Sequence, residues 1–350
     1  MHQLIQEILN HNEEQSAYFT SPDARFSRAQ YRVKHPTAVA ALKCMDGRVH
    51  IPLMTKTPLG IIKPWRNLGG KFDMGWPHFG LEVSSWVEQE IQAGRDCLIL
   101  VTYHFSAGDK ERGCRGFNYY KEEAQRFTAT LTKQVERVFG KHHEVVYPIQ
   151  VGIETDEDAL VLYGKNGGEC NLAKERKALS DDYVREKLVH LYPDMKNRMV
   201  EDLLPLIQGN YAHIQEVRKS KRPVAKAEHQ ERVLGVGSGF DWLHTPNFAL
   251  IVGPFSPNLG EPITTAARLL LSNIETGRIP SNGIVLLSSA PYREEAGSAP
   301  LLAREKALFL SHFVQDIIRA DVPELWQAGV FTLTVTLNLN TRKLDVIESP

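Results

Sequence analysis

Short apolar runs alternate along this chain with segments whose apolar residues recur every three to four positions, and the order is the same in both halves. In the first half, "AVAALKC" (38–44) has the length and content of a strand. A long loop follows, and then "FGLEVSSWVEQEIQAG" (79–94) has helical spacing and stops at a glycine. "CLILVTY" (97–103) reads as a strand and "NYYKEEAQRFTATLTKQVERVFG" (118–140) as a helix, with further strands in "EVVYPIQVGIE" and "DALVLYG". In the second half, "NFALIVG" (247–253), "ITTAARLLLSNIETG" (263–277), "NGIVLLSS" (282–289) and "LLAREKALFLSHFVQDIIRA" (301–320) repeat strand, helix, strand, helix. "VFTLTVTLNLN" and "KLDVIES" again close with a long strand and a short one. Parallel strands need a long crossover between them, usually a helix, so this order predicts an α/β fold with mostly parallel sheets flanked by helices. The repeated order predicts two similar domains, and it rests on pattern, since residue identity between the halves is slight.

The expected segments are an N-terminal helical arm (1–35), a first α/β domain (36–164), a helical connector (165–246) and a second α/β domain (247–350). The arm begins "MHQLIQEILNHNEEQ", with Leu4, Ile5, Ile8 and Leu9 on one helical face, and lacks the pattern of a signal peptide. In the connector, Ser180 is placed to cap a helix. Its basic run "VRKSKRPVAKAEHQER" reads as a solvated connector or as a surface for an acidic or phosphate-bearing partner. "GVGSG" (235–239) reads as a loop that can approach a phosphate, although no clear helix follows it.

Charge and cysteine content narrow the chemistry. The formal net charge is -1, so no global field draws the chain to nucleic acid or anionic lipid. No apolar run reaches the roughly 18 residues of a membrane span. Neither nucleic acid nor a membrane is therefore expected as a partner. The four cysteines, Cys44, Cys97, Cys114 and Cys170, lie in the first half. A chain of 350 residues needs no disulfide staples, and the N-terminus points to the reducing cytoplasm. There a cysteine is core filler, a metal ligand or a nucleophile.

The stretch "KCMDGRVHIP" ends the first strand with Cys44, Asp46 and Arg48 on alternate positions. If the chain stays extended, the three side chains share one face. His104 ends the strand run "LILVTYH", and Cys114 follows ten residues later. If the two strands are neighbours, Cys44, His104 and Cys114 converge into a donor set suited to Zn²⁺, with one coordination position open. Asp46 then either ligates the metal or is held back by a bidentate pair with Arg48. Against this stands the ordinary reading: cysteines as core filler, as expected for Cys97 and Cys170, a satisfied histidine and a structural ion pair.

The combination of "CMDGR", "RNLGG" (66–70), His104 and Cys114 resembles the β-type carbonic anhydrases. In ordinary members of that family the histidine and second cysteine lie much closer together than here. The longer gap and the cysteine-free second half resemble the carboxysome shell branch, in which two β-type domains are fused and only one keeps zinc. The resemblance implies Zn²⁺ on Cys44, His104 and Cys114, and reversible hydration of CO₂ to bicarbonate and a proton by zinc-bound hydroxide. It implies that Asp46 orients that hydroxide, that Arg48 anchors Asp46, and that the second domain is a degenerate built-in partner. His50, His78, His142 and His143 are the candidate proton relays. "RNLGG" is expected to let backbone approach the site, and Trp65 and Phe72 to wall a CO₂ pocket or simply fill the core. A homo-oligomer is expected. The short arm favours a free bacterial cytoplasmic enzyme, with the carboxysome shell or Rubisco as the alternative setting. Three rival readings accompany this one: another zinc hydrolase or lyase, a scaffold protein with a closed Cys44–Asp46–His104–Cys114 zinc site, and a redox sensor in which Cys44 and Cys114 form a disulfide.

Overall fold

The computed structural model describes residues 3–348 except 141–143, 176–178, 221–227, 244 and 281–282. The chain divides into two compact units. The first unit comprises Phe26–Cys44 and Val49–Ala227, and the second Met1–Arg25, Met45–Arg48 and Glu228–Pro350. Two helices open the chain, α1 (Gln3–Thr20) and α2 (Pro22–Lys34).

The first unit is built on β1 (Ala38–Cys44), β2 (Ile62–Asn67), β3 (Cys97–Phe105), β4 (Val146–Glu154), β5 (Ala159–Tyr163) and β6 (Glu169–Asn171). Their order is β2-β1-β3-β4-β5-β6. The first four are parallel, and β5 and β6 join antiparallel. β1 and β3 are buried at every position, which accounts for their unbroken apolar runs. The helices of this unit include α3 (Ile51–Met54), α4 (Pro77–Gln92), α5 (Lys121–Phe139), α6 (Asp181–Leu191) and α7 (Asn197–Ser220). α4 stops where Gly94 takes a φ of 73°, a left-handed conformation that glycine adopts without penalty. α5 buries Ala124, Thr128, Leu131 and Val135, one face at helical spacing. Ser180 caps α6 as expected, its hydroxyl accepting from the Tyr183 N–H at 3.3 Å. Leu188, Leu203 and Ile207 of α6 and α7 share a core with Ile149, Val151 and Leu160 of the sheet.

The second unit holds β7 (Val233–Gly237), β8 (Ala249–Val252), β9 (Ile284–Tyr292), β10 (Val330–Asn338) and β11 (Leu344–Glu348), in the order β11-β10-β9-β7-β8. α8 (Gly260–Glu275), α9 (Ala299–Asp321) and α10 (Pro323–Gln327) accompany them. Four strands are again parallel, and β11 is antiparallel. Leu4, Ile5 and Ile8 of α1 pack with Val233, Leu287 and Val335 in this core. Among the described residues, no helix is long and apolar enough to cross a membrane.

The α/β architecture with two mostly parallel sheets flanked by helices is what the sequence order predicts. The two sheets match strand for strand: β2-β1-β3-β4-β5 corresponds to β8-β7-β9-β10-β11. The counterpart of β1 is therefore β7, whereas the sequence pairing gave that role to "NFALIVG". β7 hides in "GVGSG", which reads as a loop; the Phe240 ring packs closely on Gly235, 3.1 Å from where a Cβ would stand. β2 hides in the long loop, its apolar signal broken by Lys63, Pro64 and Arg66. As an edge strand it tolerates the proline, whose missing N–H costs a central strand a ladder bond.

The compact units also cut the chain elsewhere than at 35, 164 and 246. The arm's apolar face is buried in the second core, and β7, within the connector, is an interior strand of the second sheet. The short segment Met45–Arg48 joins the second unit through backbone hydrogen bonds. Its Met45 carbonyl accepts from Ile251 N at 2.9 Å, and its Gly47 carbonyl from Asn247 N at 2.8 Å.

Candidate metal centre

Cys44 is the last residue of β1, and His104 is the last but one of β3. The two strands are parallel neighbours, so both side chains stand at the carboxyl end of the first sheet, where α/β proteins place their functional groups. The chain then runs through 106–113 to Cys114, which opens a tight helical turn at Arg115–Phe117. The Cys44 and Cys114 sulfurs are 3.9 Å apart. One donor atom from each of Cys44, His104 and Cys114 lies within 4.8 Å of the other two. The three residues are 4%, 2% and 3% exposed. Zn–S bonds of about 2.3 Å at a tetrahedral angle put two thiolates about 3.8 Å apart, so the sulfur spacing fits a shared zinc ion. A disulfide requires about 2.05 Å, and all four cysteines are free thiols. Burial pushes the Cys97 thiol up to about 12 and that of Cys170 up to about 11, which leaves both neutral and unreactive as core filler.

The glycines of "RNLGG" set the approach to this centre. Asn67 ends β2 paired with Cys44, and its side-chain amide donates to the Lys71 carbonyl at 2.7 Å. Gly69 and Gly70 have φ of 67° and 65°. A Cβ on Gly70 would meet the Thr102 carbonyl at 2.9 Å and the Cys44 nitrogen at 3.4 Å. A Cβ on Gly116 would stand 2.7 Å from Gly69 backbone. The expected close backbone approach is thus realised around Cys44 and the turn that follows Cys114.

Asp46 and Arg48 lie in the second unit and pair as the sequence suggests, by a different local geometry. β1 ends at Cys44, so no extended strand carries the alternation on to Arg48. Instead the segment turns, and Asp46 Oδ1 accepts from the Arg48 backbone N–H at 2.8 Å and from its Nε at 3.0 Å, while Oδ2 accepts from Nη2 at 2.6 Å. Sequence reasoning missed the second layer of this network. Arg48 Nη2 also lies 3.1 Å from His229 Nε2, and His229 Nδ1 lies 3.1 and 3.0 Å from the two oxygens of Glu231. This pattern selects the tautomer with its proton on Nδ1, donating to Glu231, and with the Nε2 lone pair facing the guanidinium. Glu231 is fully buried and also accepts from Gly47 N at 3.2 Å. Asp46, His229 and Glu231 offer three close donor atoms, but the Arg48 guanidinium already stands among them and supplies the positive charge a cation would bring. The available signal was His229–Glu231, an alternating pair just before β7, within the basic run.

The candidate relay histidines divide. His50 is buried, and its Nδ1 accepts from Leu53 N at 3.3 Å, capping α3. His78 is exposed in the first turn of α4, and His142 and His143 lie outside the described residues. Trp65 and Phe72 pack on α4: Phe72 stacks on Phe79 at 4.5 Å, and Trp65 meets Phe79 and Trp86 edge-on.

No family model matches the chain. Two curated proteins do, both named carboxysome shell carbonic anhydrase. The one from Prochlorococcus marinus (strain MIT 9313) is 23% identical over 335 residues, covering 86% of this chain and 63% of that protein. The one from Prochlorococcus marinus subsp. pastoris is 24% identical over 239 residues, covering 58% of this chain and 46% of that protein. The chain is thus a divergent relative of both, and spans less than two thirds of the length of either. Solved structures of a periplasmic metal binding protein from Candidatus Liberibacter asiaticus, one of them a manganese-bound mutant, align with 12% identity over 86–87% of this chain and 89–90% of theirs. Their TM-scores of 0.22 carry no argument.

Proposed function

We propose that this chain is a zinc-dependent carbonic anhydrase that interconverts CO₂ and bicarbonate. The observation that carries the proposal is the buried convergence of Cys44, His104 and Cys114 in a relative of proteins bearing that name. Two thiolates and an imidazole suit Zn²⁺, and three protein donors leave one position for the reacting species. Zinc held there supplies a Lewis acid that makes water nucleophilic near neutral pH.

The remaining roles fall to the chain's own residues. Both Asp46 oxygens are engaged by Arg48, which argues against Asp46 as a fourth ligand and so against a closed structural site. In this reading Asp46, two residues along the chain from Cys44, accepts a hydrogen bond from the reacting water. Arg48 holds the carboxylate in orientation, with His229 and Glu231 behind it. Both relatives are named for the carboxysome shell; the donor set supports the reaction alone, and co-sedimentation with carboxysome shells tests the rest.

The deciding experiment is stopped-flow CO₂ hydration by the zinc-loaded protein at about pH 8.5, chosen to lie above the ionisation of a zinc-activated water, with Cys114→Ala as control. Rapid hydration that disappears in the variant is the expected result. Zinc bound one per chain with no hydration above buffer overturns the proposal in favour of a closed structural site.

A further inference from the structure

The segment between His104 and Cys114 is long for a connection between two ligands of one ion, and ordering it costs conformational entropy. Something must hold it if Cys114 is to meet the other donors. We propose that Glu154 and Asp156, at and just beyond the end of β4, are positioning residues for the metal centre, clamping this segment so that Cys114 is delivered to His104 and Cys44. The inference rests on the zinc reading of those three residues and assigns a role to two carboxylates that the reaction does not itself use.

The geometry lies within the first unit. Phe105 pairs in register with Glu154, so the segment leaves β3 directly beside the end of β4. Glu154 Oε1 accepts from the Ala107 N–H at 3.0 Å. Its carboxylate also fixes its own turn, accepting from Asp156 N and Glu157 N, each at 3.0 Å. Asp156 takes the next residues: Ser106 Oγ lies 2.9 Å from both of its oxygens, and Gly108 N donates at 2.7 Å. Arg112 Nη1 stands 3.5 Å from Asp156 Oδ1. Gly108 lies close against the clamp, since a Cβ there would stand 3.1 Å from both Asp156 Oδ2 and Arg112 Nη2. Two side chains of one strand end thus grip the segment at 106, 107, 108 and 112. Glu154 is 5% exposed, so its hydrogen bonds face little competition from water.

A metal ion senses such a grip. Partners that orient a ligand without touching the ion commonly set its affinity by 10- to 100-fold, taken as an order of magnitude, roughly. The clamp differs from general stabilisation in that it acts on one ligand's position, so metal affinity and the ligand field carry its signature.

The test titrates apo protein with zinc against a chromophoric chelator and records the cobalt-substituted absorption spectrum. Wild type, Asp156→Asn, Glu154→Gln and Ser106→Ala are compared, with circular dichroism to confirm folding. Asp156→Asn and Glu154→Gln are expected to weaken zinc by roughly 10-fold or more and to alter the cobalt–thiolate charge-transfer band. Ser106→Ala leaves both carboxylates in place, removes the hydroxyl's bonds to Asp156 and from Asp109 N, and is expected to weaken zinc by about threefold or more. It keeps the test decisive if the other two variants do not fold. Folded variants that bind zinc with wild-type affinity and give the wild-type cobalt spectrum overturn the clamp, even if they melt at lower temperature. A wild-type chain that takes up no zinc overturns the functional reading itself, and that failure is visible before any variant is compared.

Discussion

Glu154 and Asp156 stand two positions apart and are shifted in opposite directions from the ordinary carboxylate range. Burial pushes the Glu154 carboxyl up from 4.5 to about 7, against the backbone N–H groups it accepts. Burial also pushes Asp156 up, but hydrogen bonds from Gly108 N–H and Ser106 and the charge of Arg112 outweigh it and hold Asp156 below 3.8. The raised group binds its proton more tightly in the folded chain, so its contribution to stability is complete below 4.5 and is lost as pH rises through about 7. The lowered group contributes above 3.8, and that contribution is lost as pH falls through its depressed value. Glu154→Gln removes the first titration, and the second, which Glu154 helps to lower, falls outside the range tested. The thermal midpoint of that variant relative to wild type is expected to rise between about pH 5 and about pH 8; a constant difference across that range refutes the assignment. A second expectation concerns Glu231. His229→Ala leaves a fully buried carboxylate without its imidazole and Arg48 Nη2 without that acceptor. A loss of about 3 kcal/mol in urea unfolding is expected, in line with breaking a buried charged network; a loss below about 0.5 kcal/mol, the ordinary surface effect, contradicts it. The sequence exposes Cys44, Asp46, Arg48, His104 and Cys114 because such residues at strand ends advertise chemistry. It conceals His229 and Glu231 because His-x-Glu is a common pattern, and only the tertiary fold brings it to a guanidinium about 180 residues away.

At the scale of elements, strands buried on both faces are legible and strands that break their own pattern are not. β1 and β3 show themselves by unbroken apolar runs. β2 and β7 are concealed by a proline and charges that an edge position tolerates and by glycines that close neighbours favour. The glycine turns next to the candidate ligands Cys44 and Cys114 belong to this class. Gly116→Ala would put a methyl group 2.7 Å from Gly69 backbone, which cannot yield as a side-chain tip does. The variant is expected to lose about 2 kcal/mol of stability, typical of overpacking. It should also bind zinc more weakly, because the displaced turn begins at Cys114. Chelator competition reading wild-type affinity in a folded variant would show that the turn adapts without moving the thiol.

Over the whole molecule, one strand order serves twice with different endings. β1 closes on Cys44, whereas its counterpart β7 closes on Gly237, where a Cβ would lie 1.9 Å from the Ser289 carbonyl. Among the described residues, the second sheet therefore repeats the topology without the thiol that would start a second metal site. Its strands are nonetheless required. A fragment ending at residue 245 would keep Leu4, Ile5, Ile8 and β7 while losing every strand partner of β7 and much of the core around them. It is expected to aggregate, and size-exclusion chromatography showing a monodisperse fragment would contradict this.

The Met45–Arg48 crossing also has a consequence in time. The segment leaves the ribosome directly after β1, yet its backbone partners at Asn247 and Ile251 are translated roughly 200 residues later. At about 5–20 residues per second that delay is roughly 10–40 s. β1 can meet β2 and β3 early in synthesis, while the Asp46–Arg48 turn and the apolar face of α1 wait for the last third of the chain. Residues 45–48 are made early and settled late, so a nascent chain carries its thiol strand in place well before the carboxylate two residues further along is anchored.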